Sequence, residues 1–417
     1  MNRKTMTTAA GLLAAVFLLT ACSPAADEAV PVVQEEEVQE PDTAATAEES
    51  AETEPIGSEP SPEMEAQDPF EGVRIRFNPD AWPDTDFSRR SIDYSEILSG
   101  GPPPDGIPSI DAPVFETPGE ADEWLEEEWP VLLLQIDESV RIYPMGILVY
   151  HEIVNDVVSG EPVSITYCPL CNSAVVFDRT LESGEVLDFG TTGNLRNSDL
   201  VMYDRQTKSW WQQFTGEAIV GELTGQVLEP VPSQILPWDE AFSLYPDAKV
   251  LSRETGHNRP YGSTPYFRYD TAGDPFLFEG ELDRRLDPTE RVVTVEIESE
   301  TRAYPFEALR DQRVVNDEVG GVPVVIFWQE GTESLFSPEF ETGSTAVYVR
   351  ELDDSELTFQ AAAGGFTDQE TGTAWNILGE ALSGELQGTR LQQVNSMEAF
   401  WFAWSAFKPD TGVWTVE

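Results

Sequence analysis

One stretch of this chain is written twice. VLLLQIDESVRIYPMGILVYHEIVNDVVSGEPVSITY (131–167) aligns without a gap to VVTVEIESETRAYPFEALRDQRVVNDEVGGVPVVIFW (292–328). The shared residues include Arg141/Arg302, Tyr143/Tyr304, Pro144/Pro305, Asn155/Asn316 and Asp156/Asp317. Farther on, DRQTKSWWQQFTGEAIVGELTG (204–225) matches DQETGTAWNILGEALSGELQG (368–388) after small shifts. Trp238 and Pro246-Asp247 find Trp401 and Pro409-Asp410. Such a repeat constrains the fold strongly, because both copies must suit one supersecondary plan and must pack on each other. The copies run over roughly 125–260 and 287–417.

Within each copy, apolar and β-branched runs of strand length (VLLLQI, VSITY, AVVFD, LVMYD) alternate with Gly, Pro, Asp and Ser punctuation. The stretch MGILVYHEIVND after Tyr143-Pro144 predicts a short helix, with proline at its start. A second helix is predicted over PWDEAFSLYP, with SMEAFWFAWSAF as its counterpart. The expected fold class is α+β, predominantly antiparallel β, in two tandem pseudo-equivalent lobes, 72–270 and 271–417.

The duplication also works as a control inside one chain. Where the first copy has His151, Cys168 and Cys171, the second has Gln312, Gln329 and Thr332, while the surrounding framework survives. Joint loss of three soft or titratable side chains marks them as one site of the first copy. Cys168 and Cys171 stand in C-P-L-C, a spacing with three readings. It suits a disulfide, which an oxidising compartment permits. It suits a dithiol redox couple, tuned by thiol pKa and assisted by His151. It also suits a metal knuckle of two thiolates, His151 and a carboxylate or water, for a soft or borderline ion such as copper, iron or zinc. Glu152 is the nearest carboxylate, although it reads more readily as a solvated surface residue. With only two histidines in the chain, a three-imidazole centre is excluded. The other one, His257, reads as a loop histidine. Asp204, Thr207 and Trp211 persist as Asp368, Thr371 and Trp375 and read as structural. Arg205 and Trp210 become Gln369 and Ala374, and so read as substrate contacts.

The N-terminus supplies an address. Arg3 and Lys4 precede an apolar run, Gly11 to Leu19, too short to span a bilayer. Leu19-Thr20-Ala21-Cys22 resembles a lipobox, which implies a signal peptide over 1–21 and lipidation of Cys22. The expected partner is a membrane, reached through that lipid anchor, and the expected location is the extracytoplasmic side of a bacterial cell envelope. Residues 22–71 are rich in Glu, Ala, Pro, Thr and Ser and read as a disordered acidic tether. Across the chain 77 acidic residues face 24 basic ones, a formal charge of −53. That surface repels phosphate backbones, so no nucleic-acid partner is expected.

The run Tyr143-Pro144, His151-Glu152, Asn155-Asp156, Tyr167-Cys168-Pro169-Leu170-Cys171 and Phe177-Asp178-Arg179 resembles the domain of unknown function 3179 family. So do Phe189-Gly190, Gly193, Leu200 to Arg205, Thr207, Ser209-Trp210, Gln212, Gly216 and Arg259 to Tyr266. The resemblance covers roughly 90–270. Some members of that family are described as selenoproteins, which implies redox chemistry near the motif. The chain departs from the family's usual glycine after the second cysteine, carrying Asn172, which also tolerates left-handed geometry. The leading expectation is a membrane-anchored extracytoplasmic protein with a Cys-x-x-Cys/His redox or metal-redox site. Its counterpart would be an extracytoplasmic redox partner or a small solute. The alternatives are a metal- or solute-binding lipoprotein without turnover, and a structural module with an inert disulfide.

Overall fold

The first hairpin sets the plan. In the computed structural model, which describes residues 68–353 and 355–416, β1 (Pro130–Ile136) pairs antiparallel with β2 (Ser139–Pro144) from Val131↔Pro144 to Ile136↔Ser139. Helix α1 (Met145–His151) follows, then β3 (Ile153–Val158), β4 (Glu161–Cys168) and β5 (Ser173–Asp178). A long hairpin of β6 (Phe189–Arg196) and β7 (Asp199–Asp204) comes next, extended by β8 (Trp210–Gln212).

The second region runs through the same series: β9 (Arg291–Ile297), β10 (Glu300–Pro305), α2 (Phe306–Gln312), β11 (Val314–Val319), β12 (Val322–Gln329) and β13 (Ser344–Val349). Its first pairing runs from Val292↔Pro305 to Ile297↔Glu300, one-for-one with β1–β2. Its last hairpin, β14 (Phe359–Ala362) with β15 (Gly365–Asp368), is shorter than β6–β7. The result is mixed α+β, with strands mostly antiparallel in several sheets. One parallel pair closes each region, Lys249–Leu251 beside β2 and Gly412–Val413 beside β10.

Local chemistry explains the repeated turns. Ser159-Gly160 joins β3 to β4 with φ 55° and 94°, and Gly320-Gly321 joins β11 to β12 with φ 57° and 76°. Two successive left-handed residues match the right-handed twist of the strands they connect. Both short helices start after proline without a side-chain cap. Both end at a left-handed residue, Glu152 with φ 60° and Arg313 with φ 61°. The predicted helix over 145–156 therefore stops at His151. Ile153 and Val154 are β-branched and go into a strand, where such side chains pack well.

Packing crosses the expected 270/271 boundary. Val131, Leu133 and Trp238 share a core with Phe327, Phe359 and Trp375. Leu170 and Phe214 share another with Trp401 and Trp404, and the Phe214 and Phe407 rings stack 4.7 Å apart. The described residues all belong to one compact unit. The segment ahead of β1 adds its own aromatic cluster, Phe77, Trp82 and Tyr94, seated on Trp210 of β8. Residues 1–67 lie outside the described part, so the expected signal peptide, the lipidated Cys22 and most of the tether lie outside it too.

Candidate metal centre

Two hairpin turns build the site. Strand β4 delivers Cys168, and the chain reverses through Pro169, Leu170, Cys171 and Asn172 into Ser173, which pairs back with Cys168. Asn172 takes φ 50°, the left-handed geometry expected of it. The Tyr167 hydroxyl donates to Asn172 Oδ1 at 3.1 Å, and Phe400 N donates to Cys171 O at 2.8 Å, so the turn is held from both sides. The second turn joins β6 to β7 through Asn197 and Ser198, with φ 52° and 67°. It hands Asp199 to the start of β7, opposite Arg196.

Cys168, Cys171 and Asp199 meet there. One ligand atom from each lies within 4.8 Å of the other two, and all three side chains are buried. Both thiols are free, so no disulfide joins them. Asp199 Oδ2 accepts from Gln212 Nε2 at 2.6 Å and from Phe214 N at 3.0 Å. Its Oδ1 is buried and receives no N–H or O–H donor. Only the neighbouring thiols are left to meet that oxygen, and a carboxylate in a dry interior is costly unless a cation or a proton meets it.

The electrostatics state that cost. Burial pushes Asp199 up to about 7, against the opposing hydrogen bonds from Gln212, Phe214 and the thiols of Cys168 and Cys171. Burial raises the Cys168 thiol and raises Cys171 well above its ordinary value. Glu152 is buried as well, and burial and then the charge of Asp199 push it up to about 8. It is not the solvated glutamate the sequence suggested. The left-handed residue that ends α1 is Glu152 itself, and its carbonyl accepts from Tyr167 N at 2.7 Å. Burial favours the protonated form of all four acidic groups, and a bound cation would replace those protons.

Two thiolates and a carboxylate are a donor set for zinc, iron or copper rather than for magnesium or calcium. Three protein ligands leave a fourth position of a tetrahedral ion for another donor. Over the site lies the irregular segment after Ser252. Tyr266 and Tyr269 come near enough for Cys168 to act on both electrostatically, and Ser198 Oγ donates to Phe276 O at 2.5 Å.

The pattern of this chain matches one family model, over residues 104–411. The chain belongs to the family described as Protein of unknown function (DUF3179). No curated protein and no solved structure matches it. The DUF3179 match continues past 270, where the resemblance in the sequence ended, and runs through the second region.

In this DUF3179 chain the site residues expected from sequence are divided. Cys168 and Cys171 come together, but the third member of their cluster is Asp199 and not His151. The His151 nitrogens are engaged by Pro108 O at 2.7 Å and by the Tyr261 hydroxyl at 2.6 Å. The cause is the end of α1: its last residue, His151, meets the 255–261 segment, and the left-handed step at Glu152 sends the next side chain inward. Arg205 is bound by Ser109 Oγ at 2.7 Å and Asp111 at 3.2 Å, and Trp210 is buried among Phe77, Trp82 and Phe87. Both therefore fasten the segment ahead of β1, which docks on the first region. Asp204, Thr207 and Trp211 are structural as expected. The Trp211 indole donates to Asp204 at 2.9 Å, and Trp375 repeats the bond to Asp368 at 2.9 Å.

Sequence reasoning missed Asp199. One signal was available: the interval from Phe189 to Asp204 is longer than that from Phe359 to Asp368, and Asp199 lies in the extra length.

Proposed function

We propose that this protein binds a soft or borderline transition-metal ion (zinc, copper or iron) through Cys168, Cys171 and Asp199, without turnover as its primary role. The observation that carries this reading is the buried cluster itself: ligand atoms of Cys168, Cys171 and Asp199 lie within 4.8 Å of one another, and both thiols are free. A dithiol couple has less support. Reactive cysteines are exposed thiolates of lowered pKa, whereas burial raises both thiols here. The lipobox-like Leu19-Thr20-Ala21-Cys22 supports tethering of the mature protein to an envelope membrane by lipid. Among the described residues no helix is long and apolar enough to cross a membrane. In the same reading the second region is a degenerate copy that lost the site and kept the framework.

Elemental analysis by mass spectrometry, with thiol counting on the same purified sample, tests the proposal. At least one equivalent of zinc, copper or iron per chain is expected, one of them at the thiol centre, together with two thiols that react only after chelation. A metal-free protein with Cys168 and Cys171 joined as a disulfide would overturn it.

A further inference from the structure

The chain has two histidines, and the fold brings them together. The ring centres of His151 and His257 lie 5.4 Å apart with planes tilted by 48°. His151 is fully buried, and its Nδ1 stands 2.7 Å from the Pro108 carbonyl. A carbonyl only accepts, so Nδ1 carries the proton and Nε2 presents a lone pair. The Tyr261 hydroxyl meets that lone pair at 2.6 Å. With its proton committed there, the Tyr261 oxygen accepts from Thr255 Oγ1, also at 2.6 Å. His257 is exposed, and among the described residues its ring nitrogens have no hydrogen-bond partner.

We propose that His151 Nε2, His257 and the Tyr261 oxygen form a second metal site, for a borderline divalent ion such as copper(II) or zinc, distinct from the thiol centre. A metal about 2 Å from a ring nitrogen lies roughly 3.2 Å from the ring centre, so two imidazoles sharing one tetrahedral ion have centres about 5 Å apart. The observed 5.4 Å needs little adjustment. Nε2 and the tyrosine oxygen would open from 2.6 Å to about 3 Å to share that ion. The carbonyl behind Nδ1 is the outer partner that fixes the tautomer of metal-binding histidines. Arg259 lies near enough to act on both His151 and Tyr261, and its charge opposes a cation. Binding as tyrosinate offsets that charge, which is why Tyr261 belongs in the donor set. Imidazole and phenolate select copper, zinc, iron or nickel, and copper(II) binds tightest among divalent ions.

The two sites fail independently, because their side chains do not overlap. The test titrates copper(II) into the full-length Cys168→Ser/Cys171→Ser variant, followed by electron paramagnetic resonance. One equivalent is expected, with coupling to two imidazole nitrogens and a tyrosinate-to-copper absorption band. His257→Ala should weaken it at least 100-fold, and Tyr261→Phe should abolish the band. In case the double variant does not fold, zinc is counted on the wild-type chain and on His257→Ala, an exposed change. The variant should hold one equivalent fewer. No stoichiometric copper in a folded double variant, or zinc binding indifferent to His257→Ala, would overturn the proposal and leave the pair as a hydrogen-bonded relay only.

Discussion

The two regions agree in their first strands and the turns between them, and differ in the turns that carry the site. Asn155 clamps Phe189 through its backbone N–H and carbonyl at 3.0 and 2.9 Å, and Asn316 clamps Phe359 at 2.8 and 2.8 Å. Tyr143 donates to Asp156 at 2.7 Å, and Tyr304 to Asp317 at 2.9 Å. The site residues lie elsewhere. Cys171 is in the tight β4–β5 turn, and the second region has a long loop between Gln329 and Ser344 in its place. Asp199 follows a hairpin tip that β14–β15 lacks, and Glu152 occupies the helix-ending position held by Arg313. Where Cys168 would be, Gln329 donates to Glu240 at 2.7 Å. Strand registers are fixed by whole ladders, so they resist change. Turns carry few packing constraints, so a site made of turns can be lost while its scaffold stays.

The sharpest way to break this comparison is to remove ligands from one region and their counterparts from the other. Cys168→Ser, Cys171→Ser or Asp199→Asn should each weaken metal binding more than about 100-fold, since outer-shell changes alone cost 10–100-fold. Gln329→Ala and Thr332→Ala should leave it unchanged. Competition against a chromophoric chelator reads both sets. Equal losses in the two regions would mean that the metal sits at neither hairpin.

Next in size is a pH effect of opposite sign in the empty and loaded forms. Asp199 rises from 3.8 to about 7, and Glu152 from 4.5 to about 8. A raised acid holds its proton in the folded state, so its contribution is complete below its unfolded value and is lost as pH rises through the folded one. The metal-free protein should therefore lose on the order of 6 kcal/mol between about pH 5 and pH 9. The loaded protein should gain stability over that range, because the ion replaces protons. Glu398 in the second region, pushed up to about 7 by burial, adds to the first slope. The site's share is the difference that Glu152→Gln and Asp199→Asn remove. Thermal melts at a series of pH values, with and without zinc, supply the comparison, and identical slopes would contradict it.

Much of the framework could be read before folding. The mostly antiparallel strand-length runs, the structural Asp204–Thr207–Trp211 set and the nearness of Cys168 to Cys171 all follow from local pattern. The extent of α1 did not follow, because Glu152 adopts a left-handed conformation that sequence gives no reason to expect from a glutamate. Nor did the third ligand. Asp199 is far from the cysteines in sequence and enters only through the register of β6 on β7, which a linear reading cannot see. His151 lies outside the Cys168–Cys171–Asp199 cluster, and a shared difference from residues 292–332 does not by itself put residues in one site. In the structure His151 and Glu152 serve different neighbourhoods.

The smallest expected effect lies at Asn172. The residue takes φ 50°, a conformation that glycine adopts freely and that asparagine tolerates better than most. Asn172→Gly removes backbone strain of about 1 kcal/mol. It also removes the acceptor that Tyr167 uses at 3.1 Å, leaving a buried hydroxyl to find another, which costs about the same. The Asn172 amide nitrogen is already buried without a partner, so losing it helps slightly. These terms nearly cancel, and stability should change by less than about 1 kcal/mol. Metal affinity should stay within about threefold, because the ligand atoms of Cys168 and Cys171 precede the substituted residue and the Phe400–Cys171 bond still pins the turn. Chemical denaturation and chelator competition on the one variant check both halves. A large loss of metal with stability intact would mean that the asparagine side chain, and not only its backbone, shapes the centre.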